Sequence, residues 1–336
     1  MSARRPWAWP LVPIYAAVIG TKSWMRRAGL LSTRRLRWPV VSVGAISAGG
    51  AGKTPVVIAL AKLLKDRGWE VNVLTRGYRR RGSGVESVDL SRSDAAERYG
   101  DEPVLIAREA GVPVWVGKDR FESGQRAQDS ADLAWHGLHL LDDGFQHRQL
   151  ARTLNLVLVT SADLQDSLLP AGNLRESLES LTRADAVIVR EDEFEVAGKT
   201  VWELVWAGTP VWTVRRKLVF PGPMKTLGAG LRPLAFCGIA RPENFQQMLQ
   251  EAGCGVVETM AYDDHHAYTM DDVDELLKQA ERLRATGFVT TDKDAVKLTP
   301  EMLRRLETVG KVMVATLEVE FANTYEVMRA VEARIA

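Results

Sequence analysis

The sequence predicts an α/β protein: a P-loop NTPase-like, mostly parallel sheet covered by helices, with a smaller C-terminal α/β domain. Three observations carry this expectation. A glycine-rich stretch, "SAGGAGKTP" (47 to 55), joins an apolar run to an amphipathic one. Runs of strand length rich in Val, Ile and Leu then alternate with helix-length segments, as in a parallel sheet buried on both faces. The alternation breaks off near residue 199 and resumes near residue 234. At 336 residues the chain is comfortable for two domains. The expected division is a basic, Trp-rich segment over 1–38, a P-loop core over 39–215, a linker over 216–230 and a smaller α/β domain over 231–336.

The opening segment is unlike the rest. The first 40 residues hold eight Lys or Arg and no Asp or Glu, against 36 basic and 43 acidic residues in the remainder. Four of the ten tryptophans, Trp7, Trp9, Trp24 and Trp38, fall there. Its apolar run, "WAWPLVPIYAAVIG", spans Trp7 to Gly20 and includes two prolines, whereas a spanning helix needs roughly 20 apolar residues. Tryptophans and arginines around so short a run suit a helix lying in the headgroup region of an anionic leaflet. A helix packed on its own domain is the competing reading. The phosphate loop follows too soon for a cleaved signal peptide.

Along the core, "RWPVVSVGAIS" reads as a buried strand, "KTPVVIALAKLLKDRG" as an amphipathic helix and "WEVNVLTRGY" as a second strand ending in a basic loop. "VLIAREAG" is a helix after the acidic "GDEP", and "VPVWVG" a strand. A helix near "RFESGQRAQDSAD" leads to the strand "LHLLDD". "LNLVLVTS" and "ADAVIVRE" are strands separated by the loop and helix of "LLPAGNLRESLESLTR". The stretch from Lys199 to Gly230 reads as short strands punctuated by Pro and Gly. "LAFCGIARPENFQQMLQEAG" restarts a strand, loop and helix, and the chain closes on an amphipathic helix, "TYEVMRAVEARI".

Composition narrows the functional classes. Charged residues at 26% and hydrophobic residues at 46% describe an ordinary globular protein. Two cysteines, Cys237 and Cys254, exclude a disulfide framework and a cysteine zinc site, and suit a reducing cytosol. None of the five histidines has zinc-ligand spacing. No nucleic acid and no obligate protein partner is expected.

The phosphate loop is the strongest chemical signal. Gly49, Gly50 and Gly52 let successive backbone N–H groups turn toward phosphate oxygens, Lys53 supplies a point charge, and the Thr54 hydroxyl is a ligand for Mg²⁺. Ser47 stands where G-x-x-x-x-G-K-[ST] has its first glycine. Ala48 stands where partition-type ATPases carry a signature lysine, which argues against that class. "LHLLDDGFQH" sets Asp142 and Asp143 at a strand end, the place of a metal-binding acid, although an Asp-Gly turn would look the same. "YGDEP" offers Asp101 either as a helix cap or as a base for a hydroxyl proton. "YDDHHAYT" places His265 and His266 beside two aspartates, a pattern that on spacing alone is more often structural.

Taken in order, "SAGGAGKTP", "LTRGYRR", "GDEP", "VPVWVGKDR", "LDDGFQHR", "LLPAGNLRE", "RADAVIV", "AFCGIARPENF", "DDHHAYT" and "TDKDAVKL" resemble one family: tetraacyldisaccharide 4'-kinase, the lipid A 4'-kinase of Gram-negative bacteria. The resemblance spans about residues 39 to 298. It implies transfer of the γ-phosphate of ATP to the 4'-hydroxyl of an acylated disaccharide 1-phosphate, giving lipid IVA, at the cytoplasmic face of the inner membrane. It implies Asp101 as catalytic base with His265, and nucleotide binding by Ser47, Ala48, Gly49, Gly50, Ala51, Gly52, Lys53 and Thr54. Arg175 becomes a phosphate-region residue, and Thr54, Asp143, Asp142 and Glu102 candidates for the Mg²⁺ network. Ala48 and Ala51 depart from the family's "SVGGTGKTP" but leave the backbone cradle intact. The rival classes are a P-loop ATPase switch and a kinase for another sugar or cofactor alcohol.

Overall fold

The computed structural model describes residues 5–49, 51–78, 80–131, 136–206, 208–220 and 231–335. Gly50, one of the expected loop glycines, lies outside them. A 3₁₀ turn over Pro6–Leu11 leads into α1 (Val12–Arg27). The core follows as β1 (Val40–Ala45), α2 (Lys53–Asp66), β2 (Glu70–Thr75), β3 (Glu86–Ser87), α3 (Ala95–Tyr99), α4 (Asp101–Ala110) and β4 (Val114–Val116). It continues as α5 (Arg120–Ser130), β5 (Gly137–Asp142), β6 (Leu154–Val159), α6 (Ser161–Leu164), β7 (Ala186–Arg190), α7 (Phe194–Leu204) and β8 (Val211–Val219). The last third comprises β9 (Leu234–Cys237), α8 (Pro242–Glu251), β10 (Glu258–Ala261), α9 (Met270–Leu283), β11 (Phe288–Thr291), α10 (Asp292–Ala295), α11 (Pro300–Leu306), β12 (Val312–Phe321) and α12 (Thr324–Ile335).

These strands align in the order β10-β9-β11-β12-β8-β7-β6-β1-β5-β2-β4-β3. Pairing is parallel except for β12 with β8 and β3 with β4. The central strands are buried along their length, all six residues of β1 included, because helices cover both faces. β1 lies between β5 and β6. Its C-terminal end therefore delivers the phosphate loop beside the end of β5, where Asp142 and Asp143 sit. Ligands of open α/β sheets bind at this edge.

The expected boundaries shift at three places. Residues 199–204 belong to α7, not to short strands. Ala197, Gly198 and Val201 are its buried residues, a helical spacing. β8 is a single strand running through Val219, so the region expected as a linker (216–230) begins inside the sheet; residues 221–230 lie outside the described residues. The last helix does not stay with the smaller unit. β12 pairs with β11 over Val312–Ala315 and with β8 over Thr316–Phe321, which carries the chain back to the core. There Val327, Met328, Val331 and Ile335 of α12 join the cluster that holds Val56, Leu60 and Leu64 of α2. Arg67 Nη1 and Glu332 Oε2, 3.0 Å apart, add an ion pair across the same seam.

The N-terminal helix is both packed and exposed. Arg5 N–H donates to the Ala171 carbonyl (2.8 Å), the Tyr15 hydroxyl to that of Arg175 (3.2 Å), and Arg148 Nη1 to Ser23 Oγ (2.9 Å). Away from these contacts Trp7, Trp9, Ile14 and Trp24 are each more than half exposed. Among the described residues no helix is long and apolar enough to cross a membrane.

Candidate active site

The phosphate loop explains its own departure from the glycine pattern. Gly49 and Gly52 hold left-handed φ values of 73° and 81°, and Gly52 caps α2. Those positions need glycine. Ser47 is absent from the non-glycine residues at positive φ. It is buried and bridged to Leu174, while Ala48 N–H donates to Asn173 O (2.8 Å) and Arg175 N–H to Ile46 O (2.7 Å). A side chain is therefore tolerated at the first motif position. The same bonds bind the loop to the "GNLRE" segment and carry Arg175 to its flank.

Asp143 stands between two cations. Its Oδ2 accepts from Arg175 Nη1 at 2.7 Å, and its buried Oδ1 has no hydrogen-bond partner, with Lys53 Nζ 3.5 Å away. Burial works to raise the Asp143 carboxyl, but Lys53 and then Arg175 outweigh it and hold the group below the usual range. The backbone there is left-handed, φ 50°, at a residue that is not glycine. Such strain persists where the surroundings over-determine it. Its neighbour Asp142 is deeper, with Oδ2 accepting from Thr75 Oγ1 at 2.9 Å. Burial, and next the negative charges of Glu102 and Asp143, push Asp142 up to about 7.

The second cluster spans the two parts of the chain. Asp101 is the first residue of α4, after Gly100 at φ 98°, so it opens the helix rather than preceding it as a cap. Its Oδ1 accepts the Glu102 N–H at 2.9 Å. Its Oδ2 lies 2.8 Å from His265 Nδ1. Burial pushes the Asp101 carboxyl up, but the hydrogen bond from His265 and the charge of Lys293 prevail and keep it below the ordinary range. His265 reaches across on a left-handed backbone (φ 64°), its N–H donating to Gly238 O at 3.2 Å. His266, its neighbour, turns away: its ring stacks on Tyr262 at 4.7 Å, and Nε2 meets Asp272 Oδ2 at 3.1 Å. The structure thus separates the histidine pair that spacing left undivided.

The phosphate loop, Asp142, Asp143, Arg175, His265 and Lys293 line one cleft of about 1590 Å³, together with Thr54, Glu102, Arg120 and His147, while the buried Asp101 is not among the lining residues and meets it through His265. Sequence reasoning passed over Lys293, which contacts His265 and lies in "TTDKD", and Thr75, which holds Asp142. Both fall in motifs of the resemblance, "TDKDAVKL" and "LTRGYRR", but neither residue was given a role. Their partners lie 28 and 67 residues away.

The family model described as Tetraacyldisaccharide-1-P 4'-kinase matches residues 4–336. The chain belongs to this kinase family. Tetraacyldisaccharide 4'-kinase of Koribacter versatilis is 37% identical over 333 residues, covering 97% of this chain and 99% of that protein. The enzyme of that name from Syntrophus aciditrophicus is 40% identical over 305 residues, 81% of this chain and 78% of that protein. A crystal structure of "apo" form LpxK from Aquifex aeolicus in complex with ATP matches with a TM-score of 0.78 at 30% identity, covering 98% of each chain. The fold of this tetraacyldisaccharide 4'-kinase family member is therefore a P-loop kinase fold, and the chain is an ATP-dependent kinase.

Proposed function

We propose that this kinase transfers the γ-phosphate of ATP to the 4'-hydroxyl of a tetraacyldisaccharide 1-phosphate, giving the doubly phosphorylated lipid A precursor lipid IVA. The observation that carries the reading is one cleft lined by both the phosphate loop and His265, whose imidazole is bonded to the buried Asp101 carboxylate. Phosphoryl transfer to an alcohol needs both: electrostatic support for the transferring group and an acceptor for the hydroxyl proton.

In this reading the N–H groups at the start of α2 and Lys53 hold the β- and γ-phosphates, and Arg175 supports the same charge. Asp101 accepts the proton of the 4'-hydroxyl, and His265 fixes the carboxylate's orientation. The donor set fits Mg²⁺. Asp143 Oδ1 is buried without a hydrogen bond and faces Lys53 Nζ at 3.5 Å, and Asp142 is pushed up by burial and then by the Glu102 and Asp143 carboxylates, which a further cation would offset. Among the described residues no group of three or more His, Cys, Asp or Glu could hold a metal ion unaided. Mg²⁺ commonly takes one or two carboxylates plus substrate phosphates. Thr54 with one or two of Asp143, Asp142 and Glu102 would hold it, where it would neutralise charge on the phosphates.

The lipid substrate suits the N-terminal helix, whose exposed Trp7, Trp9 and Trp24 and nearby basic residues fit an anionic membrane surface. α1 also contacts the Arg175 backbone, so membrane docking would place the cleft at the headgroup level. The protein would act peripherally, at the cytoplasmic face of the inner membrane. The test is incubation with γ-labelled ATP and tetraacyldisaccharide 1-phosphate. Label in a doubly phosphorylated lipid is expected; ATP hydrolysis with no labelled lipid would overturn the reading.

A further inference from the structure

Lys293 sits on the one-turn helix α10 of the C-terminal part, at the junction with α4 of the core. Its ammonium is mostly withdrawn from solvent and lies 3.2 Å from Asp264 Oδ1, 3.7 Å from Glu102 Oε1 and 3.3 Å from His265 Nε2. The last contact decides where a proton sits. An ammonium has three donors and no acceptor. Nε2 facing it must therefore accept, which leaves the ring proton of the neutral imidazole on Nδ1. Nδ1 is the atom 2.8 Å from Asp101 Oδ2.

We propose that Lys293 is a positioning residue of the transfer site: by donating to His265 Nε2 it selects the Nδ1–H tautomer and aims that proton at Asp101. With Nε2 already occupied, His265 is not the destination of the substrate's proton, which passes to the Asp101 carboxylate.

The surroundings support this arrangement. Asp264, on the same loop as His265, restrains the ammonium from a second side. Asp292 Oδ1 accepts the Lys293 backbone N–H at 2.7 Å and its Oδ2 accepts that of Leu317 at 3.3 Å, which ties α10 to β12. The groups facing His265 are Asp101 from α4, Asp264 from its own loop, Lys293 from α10 and the ring of Tyr78, 5.7 Å away between centroids. Lys297, the other nearby cation, is committed to Asp294 at 2.6 Å. Burial pulls the Lys293 ammonium down, but Asp101, Glu102 and Asp264 more than offset this and keep it charged.

The inference rests on the reading of Asp101 as base, so its test has a readout independent of substrate. The full chain is labelled with ¹⁵N-histidine, and long-range ¹H–¹⁵N spectra are recorded without ligand. The His265 signal is assigned by its loss in His265→Gln. In the wild type its δ1 nitrogen should be protonated and its ε2 nitrogen bare; the reverse pattern overturns the proposal and requires no variant. In Lys293→Met the signal should move toward the ε2–H form. The kcat of this variant should fall at least about tenfold and by no more than the ~10²–10⁴ that a positioned base contributes, with the KM for ATP nearly unchanged. Lys293→Arg, which keeps the charge and donors, should restore both properties. A methionine variant that keeps the δ1–H form overturns the proposal whatever its activity. A changed tautomer with unchanged kcat leaves the tautomer assignment standing and overturns the reading of Asp101 and His265 as the base.

Discussion

Single residues divide sharply between those that spacing revealed and those that only the fold could place. Lys53 and Thr54 were legible because a phosphate loop is local: nine consecutive residues supply the turn, the charge and the helix start. Asp142 and Asp143 were legible as a strand-end pair, but not the division of labour between them. The fold makes that division, with Thr75 holding Asp142 and two cations flanking Asp143. Lys53 has the clearest test. In the proposed reading it supplies the point charge for a transferring phosphoryl group, so Lys53→Ala should lower kcat by about 10²–10³, the usual loss of one preorganised electrostatic contact. Steady-state kinetics at saturating ATP check this; near wild-type turnover would place the phosphates elsewhere.

Elements that repeat one period clearly were read correctly, and those with mixed signals were not. β1 and β5 are short apolar runs bounded by turn residues, and both are interior strands of the sheet. The segment that forms α7 carries Val196, Val201 and Trp202, residues that favour strands, and packing of Ala197 and Val201 overrides that preference. β5 also contains a histidine in its core. His139 is fully buried, its Nε2 accepts from Gln128 at 2.9 Å, its Nδ1 has no partner, and burial depresses it to about 3 from the ordinary 6.5. The unfolded chain therefore binds a proton that the folded chain refuses. This stability is complete above pH 6.5 and is lost as the pH falls toward 3, a change on the order of a few kcal/mol. His139→Asn should flatten the fall of unfolding free energy between those limits, as read from urea titrations at several pH values. An unaltered slope would show that other groups govern acid unfolding. The 3₁₀ turn over Pro6–Leu11 together with α1 makes a second test at this scale. Replacing Trp7, Trp9 and Trp24 by Ser removes exposed rings rather than packing, so the melting temperature should hold. Binding to anionic vesicles should weaken by at least about tenfold, or ~1.4 kcal/mol. Unchanged vesicle binding by the folded variant would refute membrane docking through this face.

For the whole molecule, the sequence disclosed two α/β units but not the way they are joined. β12, an apolar run that sequence reading left unassigned, changes partner between Ala315 and Thr316 and returns the last helix to the first core. No local pattern announces a strand shared in this way. The junction matters because the proposed base is split across it, Asp101 on α4 and His265 on a loop of the smaller unit, 164 residues apart yet 2.8 Å in contact. Two groups that act as one unit lose their function together, so their losses do not multiply. The direct test of the account is therefore a double-mutant cycle on lipid phosphorylation. Asp101→Ala and His265→Ala should each lower kcat sharply with little change in the KM for ATP, and the double variant should be scarcely worse than the poorer single one. Losses that multiply would show independent roles for the two residues, and the claim of a shared base would fail.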